Sequence, residues 1–445
     1  MTSPESALAQ LPWLEGRNIR GSVSSLRGLA LHVRDLPLPV GTVVHVEAPP
    51  GPSARGEIVG FDGSTSIVML LDENAAVRPG ATVRADRLGG VVGVGLELIG
   101  RVVDAMGQPI DGGPGFASTV PRPIAPPPMG AMQRAPIVEP LATGIRCIDG
   151  LLTLGRGQRI GVFAGPGVGK STLLSQIARN TSADVNVIAL VGERGREVID
   201  FLEHALGAEG RARSIVVAST GDESPVMRVR AALAATAIAE HFRDMGADVM
   251  LMMDSVTRLA QAQRQIGLTA GEPPATRGYP PSMFAMLPRL LERAGPVAGR
   301  GSITGIYTVL VEGDDLNEPV SDAVRGILDG HITLSRAMAG AGRYPAIDVL
   351  DSISRVADQV IDDAHRVARD RVRSMLAALA AKEELIGIGA YQSGSDPLVD
   401  LAREREPFIE DFLRQSSGDG SAYPETCRRM VEIAAGRTTA GARLQ

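Results

Sequence analysis

Short runs of β-branched residues separated by turn signals open the chain. Segments 43–46, 56–61 and 67–71 read as strands, with Asp62-Gly63 and Pro79-Gly80 as turns between such runs. Strands this short and this close together predict a small β-barrel over residues 19–98, preceded by a tail at 1–18. Residues 99–140 read as a connection, because 121–128 holds five prolines in eight residues and Pro136 and Pro140 follow. Proline lacks the N–H that a helix interior or a central strand requires, so this run is expected to lie extended on a domain surface. The period then changes. Apolar runs at 160–164, 185–191, 214–218, 249–253 and 303–311 alternate with helical segments that include 171–179 and 227–245. That alternation predicts a parallel sheet with helices on both faces over residues 141–360. Beyond it Val360, Ala364, Val367, Met375 and Leu379 recur at helical spacing, which predicts a helical domain over 361–445.

Charge narrows the function classes. The 445 residues carry 45 Lys and Arg against 51 Asp and Glu, a net charge of −6, so the molecule offers no general attraction for a phosphate backbone. Nucleic acid is not an expected partner. Cys147 and Cys427 stand far apart in no metal-ligand spacing, which argues against a disulfide and suits a reducing cytosol. The N-terminal residues lack a basic region followed by an apolar run, and no stretch approaches the roughly 18 apolar residues of a membrane span. The expectation is a cytoplasmic protein, soluble or at most peripheral.

The most informative string is Ala164-Gly165-Pro166-Gly167-Val168-Gly169-Lys170-Ser171. It follows a predicted strand and opens a predicted helix, the context that a phosphate-binding loop requires. Its glycines let successive backbone N–H groups point inward at phosphate oxygens, and the helix start adds its positive dipole end. Lys170 would reach the β- and γ-phosphates of ATP, Ser171 would offer a hydroxyl to Mg²⁺, and Thr172 would lie near the α-phosphate. Binding alone is not hydrolysis, which also needs a carboxylate on the metal side and a group that orients the attacking water. Asp254 ends the 249–253 run and would stand beside the loop at the carboxyl edge of the sheet. As an acidic residue after a strand it could instead cap the next helix. Glu193, in Gly192-Glu193-Arg194-Gly195-Arg196-Glu197, is the candidate for the water, the alternative being a surface ion pair with Arg194 or Arg196.

Longer strings carry a family resemblance over nearly the whole chain. Pro345-Ala346-Ile347-Asp348-Val349-Leu350-Asp351-Ser352-Ile353-Ser354 resembles the signature of the rotary ATP synthase superfamily. Gly278-Tyr279-Pro280-Pro281-Ser282, Val311-Glu312-Gly313-Asp314-Asp315, Ile327-Leu328-Asp329-Gly330-His331 and Gly394-Ser395-Asp396-Pro397-Leu398 resemble its type III protein export ATPases. The resemblance implies a RecA-like P-loop NTPase core, a homohexameric ring, and active sites at subunit boundaries. It makes Arg355 the arginine finger reaching a neighbour's site, gives Arg194 a γ-phosphate contact, and places Tyr344 and Tyr391 at the adenine. A stacked base with little hydrogen-bond readout would favour ATP without strict exclusion of other nucleotides. Implied partners are a peripheral regulatory stalk protein, a central coiled-coil stalk protein, the membrane export gate and chaperone-bound substrates at the inner membrane. Residues 257–281 are expected to be a short helical start and then a long loop facing the ring's opening.

Other readings fit less well. The acidic lever motif of the synthase β subunit is not found, and an RNA-translocating hexamer would need aromatics on its barrel, where 19–98 holds only Phe61. Lys170, Glu193 and Asp254 together argue against a catalytically dead ring subunit. Within the export enzymes, Leu316-Asn317-Glu318-Pro319 followed by Asp322-Ala323-Val324-Arg325-Gly326 resembles the flagellar branch more than the injectisome branch.

Overall fold

Alternation of buried and open side chains closes the first part of the chain on itself. The computed structural model describes residues 19–49, 51–72, 76–87, 90–311, 315 and 318–436. Strands β1 (Arg20–Arg27), β2 (Ala30–Arg34), β3 (Val43–Val46), β4 (Ala54–Asp62), β5 (Thr65–Leu70) and β6 (Thr82–Arg87) form a closed barrel in the order β1-β2-β5-β4-β3-β6. Leu31, Val33, Val44, Val46, Ile58, Val68 and Val83 fill its interior. A two-stranded ribbon follows, Val91–Val94 against Val120–Pro123, so part of the proline-rich connection is a strand. It is an edge strand, which tolerates the missing donors of Pro121 and Pro123. Arg293 and Arg134 strap the rest of the connection to the core: Arg293 Nη1 donates to the Ile124 carbonyl at 2.6 Å, and Arg134 Nη2 to the Glu292 carbonyl at 2.6 Å.

The core is a nine-stranded sheet. Its strands are β7 (Val102–Val103), β8 (Arg159–Ala164), β9 (Val185–Glu193), β10 (Ser214–Thr220), β11 (Asp248–Asp254), β12 (Ser302–Leu310), β13 (Gly330–Leu334) and β14 (Ile347–Ser354), with Gly295–Pro296 pairing beside β12. The order across the sheet is β14-β13-β8-β12-β11-β9-β10-β7, parallel except for β14. Each apolar run expected to be a strand is one, and the two-residue period divides its side chains between faces. Val187, Ala189 and Val191 join one core cluster, while Ile188 and Leu190 join the other. Helices α1 (Lys170–Asn180), α2 (Pro225–Asp244) and α3 (Val256–Thr269) cover these faces. The helix after Asp254 is therefore longer than expected, and the 257–281 loop is shorter. Among the described residues no helix is long and apolar enough to cross a membrane, and both cysteines are free.

Three helices, α4 (Asp363–Gly387), α5 (Pro397–Leu413) and α6 (Tyr423–Ala435), form the C-terminal part. Asp362 and Asp396 cap α4 and α5 by accepting from the His365 and Leu398 N–H groups at 2.8 and 2.9 Å. They dock on the short helix Arg146–Leu151, where Gly150 is required by close approach: a Cβ there would lie 2.8 Å from the Phe412 ring. The tail at 1–18 lies outside the described residues, as do Glu312-Gly313-Asp314 and Leu316-Asn317.

Candidate active site

Parallel strands bring their carboxyl ends to one edge of the sheet, and the chemistry-bearing residues lie there. β8 ends at Ala164, and the loop that follows curls through Gly167 and Gly169 at φ 79° and 92°, backbone that side chains resist. Val168 is buried in the core and anchors the loop from below. No side chain caps the start of α1 at Gly169, so the first N–H groups of the helix stay available to an anion. Ser171 and Thr172 are exposed on this first turn.

Lys170 is ion-paired with Oδ1 of Asp254, the last residue of β11, and its Nζ is 3.9 Å from Glu193 Oε1 at the end of β9. All three side chains are largely withdrawn from solvent. Thr308 of β12 donates its hydroxyl to Asp254 Oδ1 at 2.8 Å. Arg258, on the first turn of α3, donates to the Gly192 carbonyl at 2.7 Å and places Nε 3.1 Å from Glu193 Oε1. Burial pushes the Glu193 carboxyl up to about 7, helped by the like charge of Asp254 and opposed by Lys170 and Arg258. A carboxyl at this value is suited to accept a proton at neutral pH. Asp254 does not cap α3: the cap is Ser255, which accepts from the Arg258 N–H.

Next to the loop lies a cleft of about 350 Å³ lined by Val168, Gly169, Thr172, Leu173, Gln176, Leu334, Tyr344, Pro345, Ala346, Gln415, Ser416 and Ser417. Tyr344, half exposed, stands over Gly169, whose Cβ would be 3.5 Å from the ring. Tyr391 is not among the lining residues. Its hydroxyl donates to Asp400 Oδ1 at 3.0 Å and Arg403 covers its ring at 5.6 Å, so local packing within the C-terminal helices holds it away from the cleft. Arg194 turns outward, exposed and paired with Glu197 at 2.7 Å, and does not touch the Lys170 cluster. Arg355 follows β14 at the amino end of the parallel strands, where its N–H donates to the Asp329 carbonyl at 2.9 Å. The strand β8 separates it from its own loop by about 16 Å at 3.3 Å per residue.

Residues 144–354 match the ATP synthase alpha/beta family, nucleotide-binding domain, and residues 361–432 match the T3SS EscN ATPase C-terminal domain. The flagellum-specific ATP synthase of Bacillus subtilis (strain 168) is 48% identical over 422 residues, covering 94% of each chain. The chain belongs to the type III export ATPase family. A second relative, the type 3 secretion system ATPase of Xanthomonas euvesicatoria, is 47% identical over 416 residues, covering 93% of each chain. The assembled ATPase EscN in complex with its central stalk EscO, from the enteropathogenic E. coli type III secretion system, is a structural neighbour at TM-score 0.86 and 39% identity. That match covers 93% of this chain and 100% of EscN. The type III export ATPase described here is thus an ATPase of P-loop architecture whose C-terminal helices are those of the export branch. Thr308, Arg258 and the 415–417 wall of the cleft were missed in the sequence. For Thr308 a signal existed, a hydroxyl residue inside the apolar run at 303–311.

Proposed function

We propose that this chain hydrolyses ATP with Mg²⁺ in a homohexameric ring, at sites shared between subunits, to energise type III protein export in the flagellar branch. One observation carries the reading. Lys170, Asp254 and Glu193 meet at one edge of the sheet while Arg355 stands at the other, which supports a finger role for Arg355 in a neighbouring subunit's site and not in its own. Relatives named flagellum-specific, among them the Bacillus subtilis enzyme, support the branch, as does the 322–326 string.

In this reading Gly165, Pro166, Gly167, Val168 and Gly169 shape the loop whose N–H groups hold the phosphates. Lys170 leaves its carboxylate partner for the β- and γ-oxygens. Glu193 takes the proton of the attacking water, and Arg355 of the next subunit meets charge growing on the γ-phosphoryl. Arg194 offers a second cation there once its pairing with Glu197 breaks. Tyr344 stacks on the base. Among the described residues no group of three His, Cys, Asp or Glu side chains could hold a metal alone. The Ser171 hydroxyl and the Asp254 carboxylate are hard oxygen donors that fit Mg²⁺ only with phosphate oxygens completing its shell. The ion would neutralise charge on the β- and γ-oxygens. The acidic net charge supports no nucleic-acid partner. We place the protein in the cytoplasm, peripheral to the inner-membrane export gate, with a central coiled-coil stalk protein, a peripheral regulatory stalk protein and chaperone-bound substrates as partners.

The test is subunit mixing. Rings of Arg355→Ala alone or Lys170→Ala alone should be inactive, whereas mixed rings should recover part of the phosphate release. Inactivity of well-formed mixed rings would refute the shared site. Glu193→Gln should still bind ATP and lose about 10²- to 10⁴-fold in turnover. Hydrolysis at the parent rate would remove Glu193 from the mechanism.

A further inference from the structure

The cleft beside the phosphate loop has a wall that belongs to the C-terminal helices. The segment between α5 and α6 passes over α1, and the contacts are specific. Gln176, in the middle of α1 and buried, donates both amide hydrogens: one to the Ser416 carbonyl at 2.9 Å and one to the Asp419 carbonyl at 2.8 Å. One turn later Arg179 Nη2 donates to the Ser417 carbonyl at 2.6 Å. At the end of the helix a Cβ on Gly420 would lie 2.2 Å from Asn180 Oδ1, so the segment is pressed against α1 along half its length. Gln415, also buried, closes the other side. Its N–H donates to the Tyr344 carbonyl at 2.9 Å, and its amide to the Gly144 and Asp419 carbonyls at 2.8 and 3.0 Å.

Carbonyls in an irregular turn have no ladder to satisfy them, so these two glutamines, together with Arg179, hold the turn where it sits. α1 starts at the phosphate loop, Tyr344 is the aromatic face, and Ser416 and Ser417 line the same cleft. We propose that Gln176 is a positioning residue for the base: it holds the C-terminal turn against the phosphate-binding helix and so fixes the width of the base slot. The proposal rests on the reading of this cleft as the ATP base site. It follows that base binding and the placement of the C-terminal helices are linked through this small set of bonds, with Gln176 as the member on the phosphate-binding helix that lines the cleft, and that the phosphate half of the site does not depend on it.

The experiment compares a ligand that has a base with one that lacks it. Gln176→Glu replaces the donating amide by an acceptor of the same shape facing two carbonyls, and Gln176→Met removes the donors without adding charge. Each variant, assayed by steady-state phosphate release, should raise KM for ATP about tenfold, on the order of one weakened base contact, while kcat holds. Competitive inhibition by inorganic triphosphate, which has no base, should keep the parent Ki. An unchanged KM in both variants overturns the proposal, and so does a triphosphate Ki that rises in step with KM, because that would report damage to the phosphate loop. Should Gln176→Glu fail to fold, Gln176→Met decides. Failure of the parent chain to turn over ATP would instead overturn the reading beneath the proposal.

Discussion

Replacing Arg258 by glutamine tests the electrostatics of the water-activating carboxyl. Glu193 can accept a proton only when ionised, and its carboxyl sits near 7 because burial and Asp254 outweigh two cations. Arg258 is one of those cations, 3.1 Å away. Even at the dielectric constant of water, charges this close interact by about 1.3 kcal/mol, or about one pH unit. Loss of the guanidinium should therefore move the carboxyl upward, from about 7 to about 8. The readout is kcat/KM for ATP against pH, whose rising limb reports the free enzyme. At pH 7 roughly half of the parent carboxyl and about a tenth of the variant's would be ionised, a loss of about fivefold that nearly vanishes by about pH 9. A limb that stays in place would show that Glu193 is not the titrating base or that Arg258 does not act on it. A limb that moves down would contradict the sign of the charge argument. Arg258 also donates to the Gly192 carbonyl, so a melting curve on the same sample checks that the loop is kept.

Tyr344→Ala should weaken ATP binding by about 10- to 100-fold in a fluorescent-nucleotide displacement assay, the value of one stacked base. Tyr391→Phe should leave that affinity unchanged and instead cost about 1 kcal/mol of stability in urea unfolding, through the lost bond to Asp400. Thr308→Val keeps the shape of the side chain but removes a donor from Asp254, so half-maximal activity should need about tenfold more Mg²⁺; an unchanged requirement would detach Asp254 from the metal. Gly150→Ala should destabilise the chain by about 1–3 kcal/mol, because the new methyl meets the Phe412 ring at 2.8 Å; an unshifted denaturation midpoint would refute that packing.

Features carried by local pattern were legible in the chain. The barrel strands alternate, the core strands are continuous apolar runs, and the phosphate loop is a contiguous string between a strand and a helix. β13 and β14 lack a strand signal of their own, because Gly330, His331, Asp348, Asp351 and Ser354 interrupt their apolar residues. Resemblance alone points Tyr391 at the base, whereas Asp400, nine residues on, holds its hydroxyl within the C-terminal helices. The true partner wall could not be read from spacing: Gln176 and Ser416 are 240 residues apart, and nothing in either neighbourhood announces the contact. Arg258 lay closer to view, since it follows Asp254 by one turn of a helix that Ser255 caps. Its pairing with Glu193 depends on β9 and β11 being neighbours, and strand order is a property of the folded sheet.

The barrel's closure has a consequence for a protein that gathers in several copies. Because β6 returns to β1, all six strands have partners on both sides, and among the described residues the barrel presents no row of free N–H and C=O groups. Crowded barrels with open edges would template one another by strand addition, a contact that repeats without limit and ends in aggregates. Here strand addition between barrels is excluded, so any contact between them leans on side-chain complementarity, which is specific where strand pairing is not. The same geometry that buries Val44 and Val68 thus removes one route to aggregation for copies brought close together.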